Sequence, residues 1–376
     1  MSFWSDARNL LCIRLDSLGD VIMTTPALRA LKASPFIPKV TLLTSPSGAA
    51  AARLIPEIDE VILYEAPWMK ATAPRPFGAE DKAVVRRLKQ AKFDGAVLFT
   101  TYSQSPLPAA MLCYQAGIPH RLAYCRENPY QLLTDWFKET EPEKHVRHEA
   151  RRHLDLVASV GYRAMDERLS FSVPPEARSR MLAILQAKGL PVLGGMIVIH
   201  PGATAPSRRY AAAGFAEVMK LLHEHIGLPL VLTGSGSEKE LVEEIQDLSG
   251  VPSTSFAGAL QLDELAALLE MASVVLVNNT GPAHIAAAVG APVVSLYALT
   301  NPQHTPWKAP GRVLFKDVPC RFCYKSICPE GHHACLDQLD PALVAAAVCD
   351  VLAEQASTPP EFPSAFKPSP TLLCSH

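Results

Sequence analysis

Apolar runs of about six residues recur along the first hundred positions: "LLCIRL" (10–15), "KVTLLT" (39–44), "EVILYE" (60–65) and "GAVLFT" (95–100). Between them, "TPALRALKAS" and "AEDKAVVRRLKQAK" repeat apolar positions at three and four residues, the spacing of one helix face. Strand, helix, strand in this order predicts a parallel sheet with helices on both sides. The stretch 103–165 is less regular and reads as loops and helices that shape a substrate surface. The rhythm then restarts, with strands expected at "MIVIH" (196–200), "PLVLTG" (229–234), "SVVLVN" (273–278) and "PVVSLY" (292–297). Helical patterns over 213–226, 237–248 and 262–271 separate them. Two such units predict an α/β protein of two Rossmann-like, doubly wound domains facing a central cleft. In such sheets ligands bind beyond the C-terminal ends of the strands, so the cleft is the expected site.

Composition narrows the class. From Met271 to Trp307 the chain has no Asp, Glu, Lys or Arg. Asn278, Asn279, Thr280, Gly281 and Pro282 divide that run into pieces too short to span a bilayer. The 376 residues suffice for two domains, each with its own core. A net charge of −2 gives no electrostatic case for nucleic acid as a partner. "NLLCIRL" is too short for a secretory signal and is interrupted by Arg14. With nine cysteines, that points to a reducing, cytoplasmic setting. The boundaries expected are 1–175 for the first domain and 176–355 for the second. A Pro-rich tail, 356–376, is expected to be disordered.

Four turns at strand ends carry candidate chemistry. The first, "RLDSLGD" (14–20), has one glycine and two carboxylates, Asp16 and Asp20, where a phosphate loop would want donors. Position alone does not choose between them. The second, "HPGATAPSRRY" (200–210), has small and hydroxylated residues, Thr204 among them, that leave backbone N–H groups approachable. Arg208 and Arg209 add fixed positive charge suited to phosphate oxygens. In the third, "LTGSGSEKE" (232–240), Glu238 reads equally as a ribose-binding acid or as a favourable charge in a first helical turn. In the fourth, "VNNTGPAHIAAAVGAP" (277–292), Thr280 is placed to cap a helix and Pro282 to sit in its first turn. Small residues let that helix press on the sheet, and its free N–H groups make a site for a diphosphate. His284 lies one turn in, as a core residue or a ligand.

Together these segments, with "GIPHRLAY" (117–124), resemble glycosyltransferase family 9, the ADP-heptose:lipopolysaccharide heptosyltransferases, in order and over most of the chain. The resemblance implies a GT-B fold, with acceptor bound by the first domain and nucleotide sugar by the second. It implies inverting transfer of heptose from ADP-heptose to a lipopolysaccharide inner-core acceptor, with no cofactor required, at the cytoplasmic face of the inner membrane. Carried onto this chain, the general base falls on Asp20. The donor residues fall on Thr204, Arg208, Arg209, Glu238, Asn279, Thr280, Gly281 and His284. The family often has Asp where Asn279 stands, so this position keeps the hydrogen-bonding shape without the charge. Arg121 and the basic residues of 144–152 are the candidate acceptor contacts. A nucleotide-sugar epimerase or hydrolase on the same fold, and a non-catalytic nucleotide-sugar-binding protein, are the alternatives.

One cluster stands apart. "CRFCYKSICPEGHHAC" places Cys320, Cys323, Cys328 and Cys335 within sixteen residues. Four thiolates so close fit a structural Zn or Fe site, with His332 and His333 as alternative ligands. His145, His148 and His153 of "HVRHEARRHLDL" share no ligand spacing and are expected on a solvated helix.

Overall fold

The computed structural model describes residues 3–34, 39–70, 72–192 and 195–357. The expected disordered tail falls almost wholly on 358–376, outside the described residues.

The first unit runs β1 (Asn9–Arg14), α1 (Leu18–Lys32), β2 (Lys39–Thr44), α2 (Pro46–Ala52), β3 (Glu60–Leu63), α3 (Ala79–Ala91) and β4 (Gly95–Leu98). It continues through α4 (Leu107–Gln115), β5 (His120–Cys125), β6 (Asp135–Lys138) and α5 (Glu149–Ala158). The second runs α6 (Pro175–Ala187), β7 (Ile197–His200), α7 (Ala212–His225), β8 (Leu230–Leu232), α8 (Lys239–Ser249), β9 (Ser253–Ser255) and α9 (Leu262–Glu270). It ends with β10 (Val274–Asn278), α10 (Gly281–Ala288), β11 (Val293–Leu296), β12 (Gly311–Leu314), α11 (Ala334–Asp337) and α12 (Pro341–Ser357).

Both sheets are six-stranded and wholly parallel, in the orders β3-β2-β1-β4-β5-β6 and β12-β11-β10-β7-β8-β9. Each reverses direction once, between β1 and β4 and between β7 and β10. That reversal opens a crevice above the strand ends, and the crevice is where such sheets bind ligands.

The packing partners of β1, buried on both faces, alternate with the two-residue period of a strand. Leu10 and Cys12 pack against Val21, Ile22, Leu28 and Leu31 of α1. Leu11 and Ile13 point the other way, against Val84 and Leu88 of α3 and Ala109 and Cys113 of α4. The α1 core is continuous with Ala283, Ile285 and Ala286 of α10, so the two domains share apolar packing across their contact. No helix among the described residues is long and apolar enough to cross a membrane.

Four strands were not expected from the pattern. β5 and β6 lie within the stretch read as loops and helices, and β9 and β12 have three and four residues. β6, β9 and β12 contain no fully buried residue, so none presents the continuous apolar run of a central strand. The stretch 145–153 also needs correction. Glu149, Arg152 and His153 are buried on the inner face of α5, which packs on α1. Only His145 is exposed, and His148 is partly buried.

Candidate active site

The floor of the first domain's crevice is built on one buried cation. Arg14 closes β1 with its side chain fully buried, and a guanidinium out of water must be met by charge. Its Nε lies 3.2 Å from Asp16 Oδ2, its Nη2 3.2 Å from Asp20 Oδ1 and its Nη1 3.0 Å from Glu149 Oε1. Asp20 is also the third residue of α1 and closes a capping box. Its Oδ2 accepts from the Ser17 N–H at 3.0 Å and from the Ser17 hydroxyl at 2.6 Å. Gln104, beyond β4, donates to Asp16 Oδ1 at 2.7 Å.

These contacts give the two carboxylates different characters. Burial works to raise Asp20, but Arg14, then His304 and the Ser17 hydroxyl outweigh it and hold the group below its ordinary value. Burial prevails at Asp16 over the pull of Arg14, and its value is raised. The same cation therefore favours the anionic form of Asp20 more than that of Asp16.

The opposite wall comes from the second domain. Asn278 ties its two central turns together, since its amide donates to Pro201 O at 2.7 Å while its oxygen accepts from the Tyr210 N–H at 3.2 Å. The Pro206–Arg208 turn is anchored by Ser207, whose N–H donates to Ser326 O at 3.1 Å and whose hydroxyl donates to Lys325 O at 2.8 Å. α10 opens with Gly281 and Pro282, as expected. Thr280 occupies the capping position, but its hydroxyl makes no capping bond, so the helix end is not closed by its own sequence. α10 meets α1 closely: a Cβ at Gly19 would lie 2.8 Å from His284 Cδ2. Burial, then His304, push His284 down to about 3, so it stands as a neutral imidazole.

Between the walls lies a cavity of about 720 Å³. Asp16, Asp20 and Gln104 line it from one domain; Arg208, Asn279, Thr280, Gly281, His284 and His304 line it from the other. A second cavity, of about 320 Å³, adjoins it at Thr280 and is lined by Thr204, Glu238 and His200. Glu238 accepts from the Ser235 N–H at 2.7 Å and its hydroxyl at 2.8 Å, and so caps the helical turn that leads into α8. A Cβ at Gly202 would overlap the Glu238 carboxylate, so a larger residue there would push that carboxylate aside.

Some expected residues are not brought in. Arg121 is buried away from both cavities, its guanidinium committed to the backbone carbonyls of Ile118, Pro119, Gln131 and Leu132. That commits four of its five N–H groups to holding the loop, and the residue lines neither cavity. Arg209 is exposed and lines neither cavity, its Nε donating to Ala203 O at 2.6 Å. Cys320, Cys323, Cys328 and Cys335 gather around a small hollow with His332 and His333. Cys320 Sγ lies 3.9 Å from His332 Nε2, but no group of three or more potential ligands is arranged to hold a metal among the described residues. Arg14, Gln104, Glu149 and His304 are site residues that the motifs did not reveal. A charge inside a run as apolar as "LLCIRL" was the available signal for Arg14.

Comparison with known proteins bears on the family and the fold. A sequence profile described as glycosyltransferase family 9 (heptosyltransferase) matches residues 82–334. The chain is 25% identical to lipopolysaccharide heptosyltransferase 2 of Escherichia coli K12 over 350 residues, 87% of this chain and 93% of that one. The solved family 9 glycosyltransferase of Veillonella parvula superposes with a TM-score of 0.76 at 21% identity, over 94% of this chain and 99% of that one. The E. coli heptosyltransferase WaaC, solved with ADP-2-deoxy-2-fluoro heptose, gives 0.62 at 20% identity over 92% and 99%. The fold is GT-B, and the chain belongs to glycosyltransferase family 9, the heptosyltransferases, and is a glycosyltransferase.

Proposed function

We propose that the protein is an inverting heptosyltransferase that moves heptose from ADP-heptose to a lipopolysaccharide inner-core acceptor, at the cytoplasmic face of the inner membrane. The observation that carries the reading is the division of one cavity into an acidic wall and a donor wall. The acceptor hydroxyl attacks the anomeric carbon from the Asp20 side, and Asp20 takes its proton as the new bond forms. The bond from the anomeric carbon to the diphosphate breaks on the other side. Arg208 and the uncapped N–H groups of α10 receive the charge that develops on the leaving ADP. Asn279 and neutral His284 contact the sugar and diphosphate as hydrogen-bonding groups without adding charge. Thr204 and Glu238 hold the nucleoside in the adjoining cavity, with Glu238 on the ribose hydroxyls. Arg209 adds long-range positive charge at the rim.

The chemistry needs no metal, because Arg208 and the helix end already offset the diphosphate. A structural Zn or Fe at the four cysteines would brace the Lys325–Ser326 backbone that anchors the Arg208 turn. Metal analysis of the purified protein tests that part separately.

The test of function is a calorimetric donor series followed by transfer assays on truncated lipopolysaccharide cores. ADP-heptose is expected to bind at least tenfold more tightly than UDP or GDP sugars. Transfer should give one ADP per glycosylated core, with inversion at the anomeric carbon and full activity in chelator. Preference for another nucleotide, or sugar release as fast without acceptor as with it, would overturn the reading.

A further inference from the structure

The domains meet a second time, away from the contact of α1 with α10. Beyond β11, residues 301–308 form a strap that leaves the second domain and lies along the first. Gln303 O accepts from the Glu149 N–H at 3.1 Å, and Thr305 O lies 2.8 Å from His148 Nε2. The Trp307 indole donates to Glu167 O at 2.7 Å and packs on the His148 ring at 4.5 Å between centroids. Lys308 pairs with Glu167 at 2.7 Å. These contacts seat His304 in the central cavity, its imidazole 3.7 Å from Glu149 Oε2. The other oxygen of Glu149 faces Arg14 at 3.0 Å and His153 at 3.2 Å.

Glu149 is hard to explain as a partner that merely neutralises Arg14. Asp16 and Asp20 already set two carboxylates against that one guanidinium. A third, 1% exposed, adds buried negative charge that the cation does not require. Its position accounts for it: it holds the far side of the Arg14 fork, so that Asp16 and Asp20 share the remaining nitrogens. It also meets the strap from across the cleft. A path of four charged or polar groups, His304, Glu149, Arg14 and Asp20, thus crosses from one domain to the other.

We propose that Glu149 is a positioning residue for the Asp20 base, shared between Arg14 beneath the base and His304 of the opposing domain, so that the base is held for reaction only while the strap is seated. This rests on the assignment of Asp20 as the base. Domain closure and base assembly become one event, and a donor bound to an open cleft meets no competent base and loses no sugar to water.

The experiment uses the full chain. Glu149→Gln keeps the shape and removes the charge; kcat for transfer is expected to fall roughly tenfold or more, with donor Kd within about twofold of wild type. His304→Ala removes the strap's contact without stranding a buried charge, and kcat should fall about threefold to tenfold. His304→Gln, which keeps a polar N–H group facing Glu149, should recover most of that loss, which a general loosening of the loop would not allow. Wild-type kcat in His304→Ala, no recovery in His304→Gln, or losses matched by equal losses of donor affinity would overturn the proposal. If Glu149→Gln does not fold, the His304 pair decides alone. Asp20→Asn separates the two readings. Transfer surviving in it removes the base assignment itself, whereas its loss beside normal Glu149 and His304 variants removes only this inference.

Discussion

The turns after β1 and β10 each follow a strand beside the reversal of its sheet, in two sheets of the same strand order, yet their chemistry is opposite. Each leads from the end of a central strand into the N-terminus of a helix that lies on the cleft. After β1, Asp20 accepts from the Ser17 N–H and hydroxyl and the Leu18 N–H donates to Ser47, so a carboxylate sits over that helix end. After β10, Thr280 makes no side-chain cap and the following residues are small, so the end stays open. A helix N-terminus is an anion site only if its own sequence leaves it uncapped. The first turn excludes phosphate and offers a carboxylate; the second offers donors. One topology used twice thus brings an acid and a set of donors to one cleft, as the proposed transfer requires.

The sharpest way to break this contrast is at the acid. Asp20→Asn retains the cap, because Asn serves as an acceptor, but removes the proton acceptor. Transfer should fall by at least about 10²-fold to 10⁴-fold, with donor binding by calorimetry nearly unchanged. Asp16→Asn should lose much less. If the two variants are equally impaired, the pair acts as a unit and the single-base assignment is wrong. On the donor wall, Arg208→Ala should lower kcat about 10²-fold and weaken ADP binding, and Arg208→Lys should restore part of both. An alanine variant with normal ADP affinity would leave the diphosphate to α10 alone.

A milder variant tests whether the two walls are mechanically joined. Gly19→Ala places a methyl 2.8 Å from the His284 ring, so α1 or α10 must shift. A loss of about 1–3 kcal/mol in stability is expected, read from denaturant midpoints, with some loss of kcat. Gly281→Ala should be gentler, because its Cβ would meet only the tip of Leu18 at 3.0 Å. Equal effects of the two would show that helix propensity, and not the contact between walls, decides.

How much of this was legible in the sequence depended on whether a residue acts within its own segment. The central strands and the turns that follow them are local, and their apolar runs and small residues announce them. The turns that hold Asp16 and Asp20, Arg208 and the 279–284 segment were read for the same reason, since each belongs to a strand-turn-helix unit, whereas the choice of Asp20 over Asp16 came from the family resemblance. Glu149 and His304 were not legible. Their function arises from contacts with Arg14 and with each other, made only when α5 and the strap fold against β1. Arg121 misled in the opposite sense: a cation beside a recognisable motif is as readily used to fasten a loop as to meet a ligand, and here four of its five N–H groups go to backbone carbonyls. The edge strands β6, β9 and β12 escaped because they lack the two-sided burial that makes central strands continuous in apolar residues.

The smallest expected effect concerns Glu238, where the contrast between capped and open helix ends is least clean. This carboxylate caps its own helical turn, as Asp20 does, yet it also lines the cavity beside Thr204. Burial works to raise it, but the Ser235 bonds, then His200 and Arg209, bring it below its ordinary value. A lowered value means that the folded state favours the anion. The stabilisation is present above the unfolded value of about 4.3 and is lost as pH falls through the folded one. Glu238→Gln preserves the capping box, since Gln serves at that position as well as Glu. A residue that only caps should therefore tolerate the change, with KM for the donor unmoved. A residue that also binds ribose hydroxyls should show a KM raised about threefold to tenfold at unchanged kcat, because the contact is made equally in ground and transition states. The second outcome is expected. It would mean that a capped helix end can still serve a nucleotide when the capping carboxylate is itself the ligand, which is the one arrangement the turn after β1 does not use.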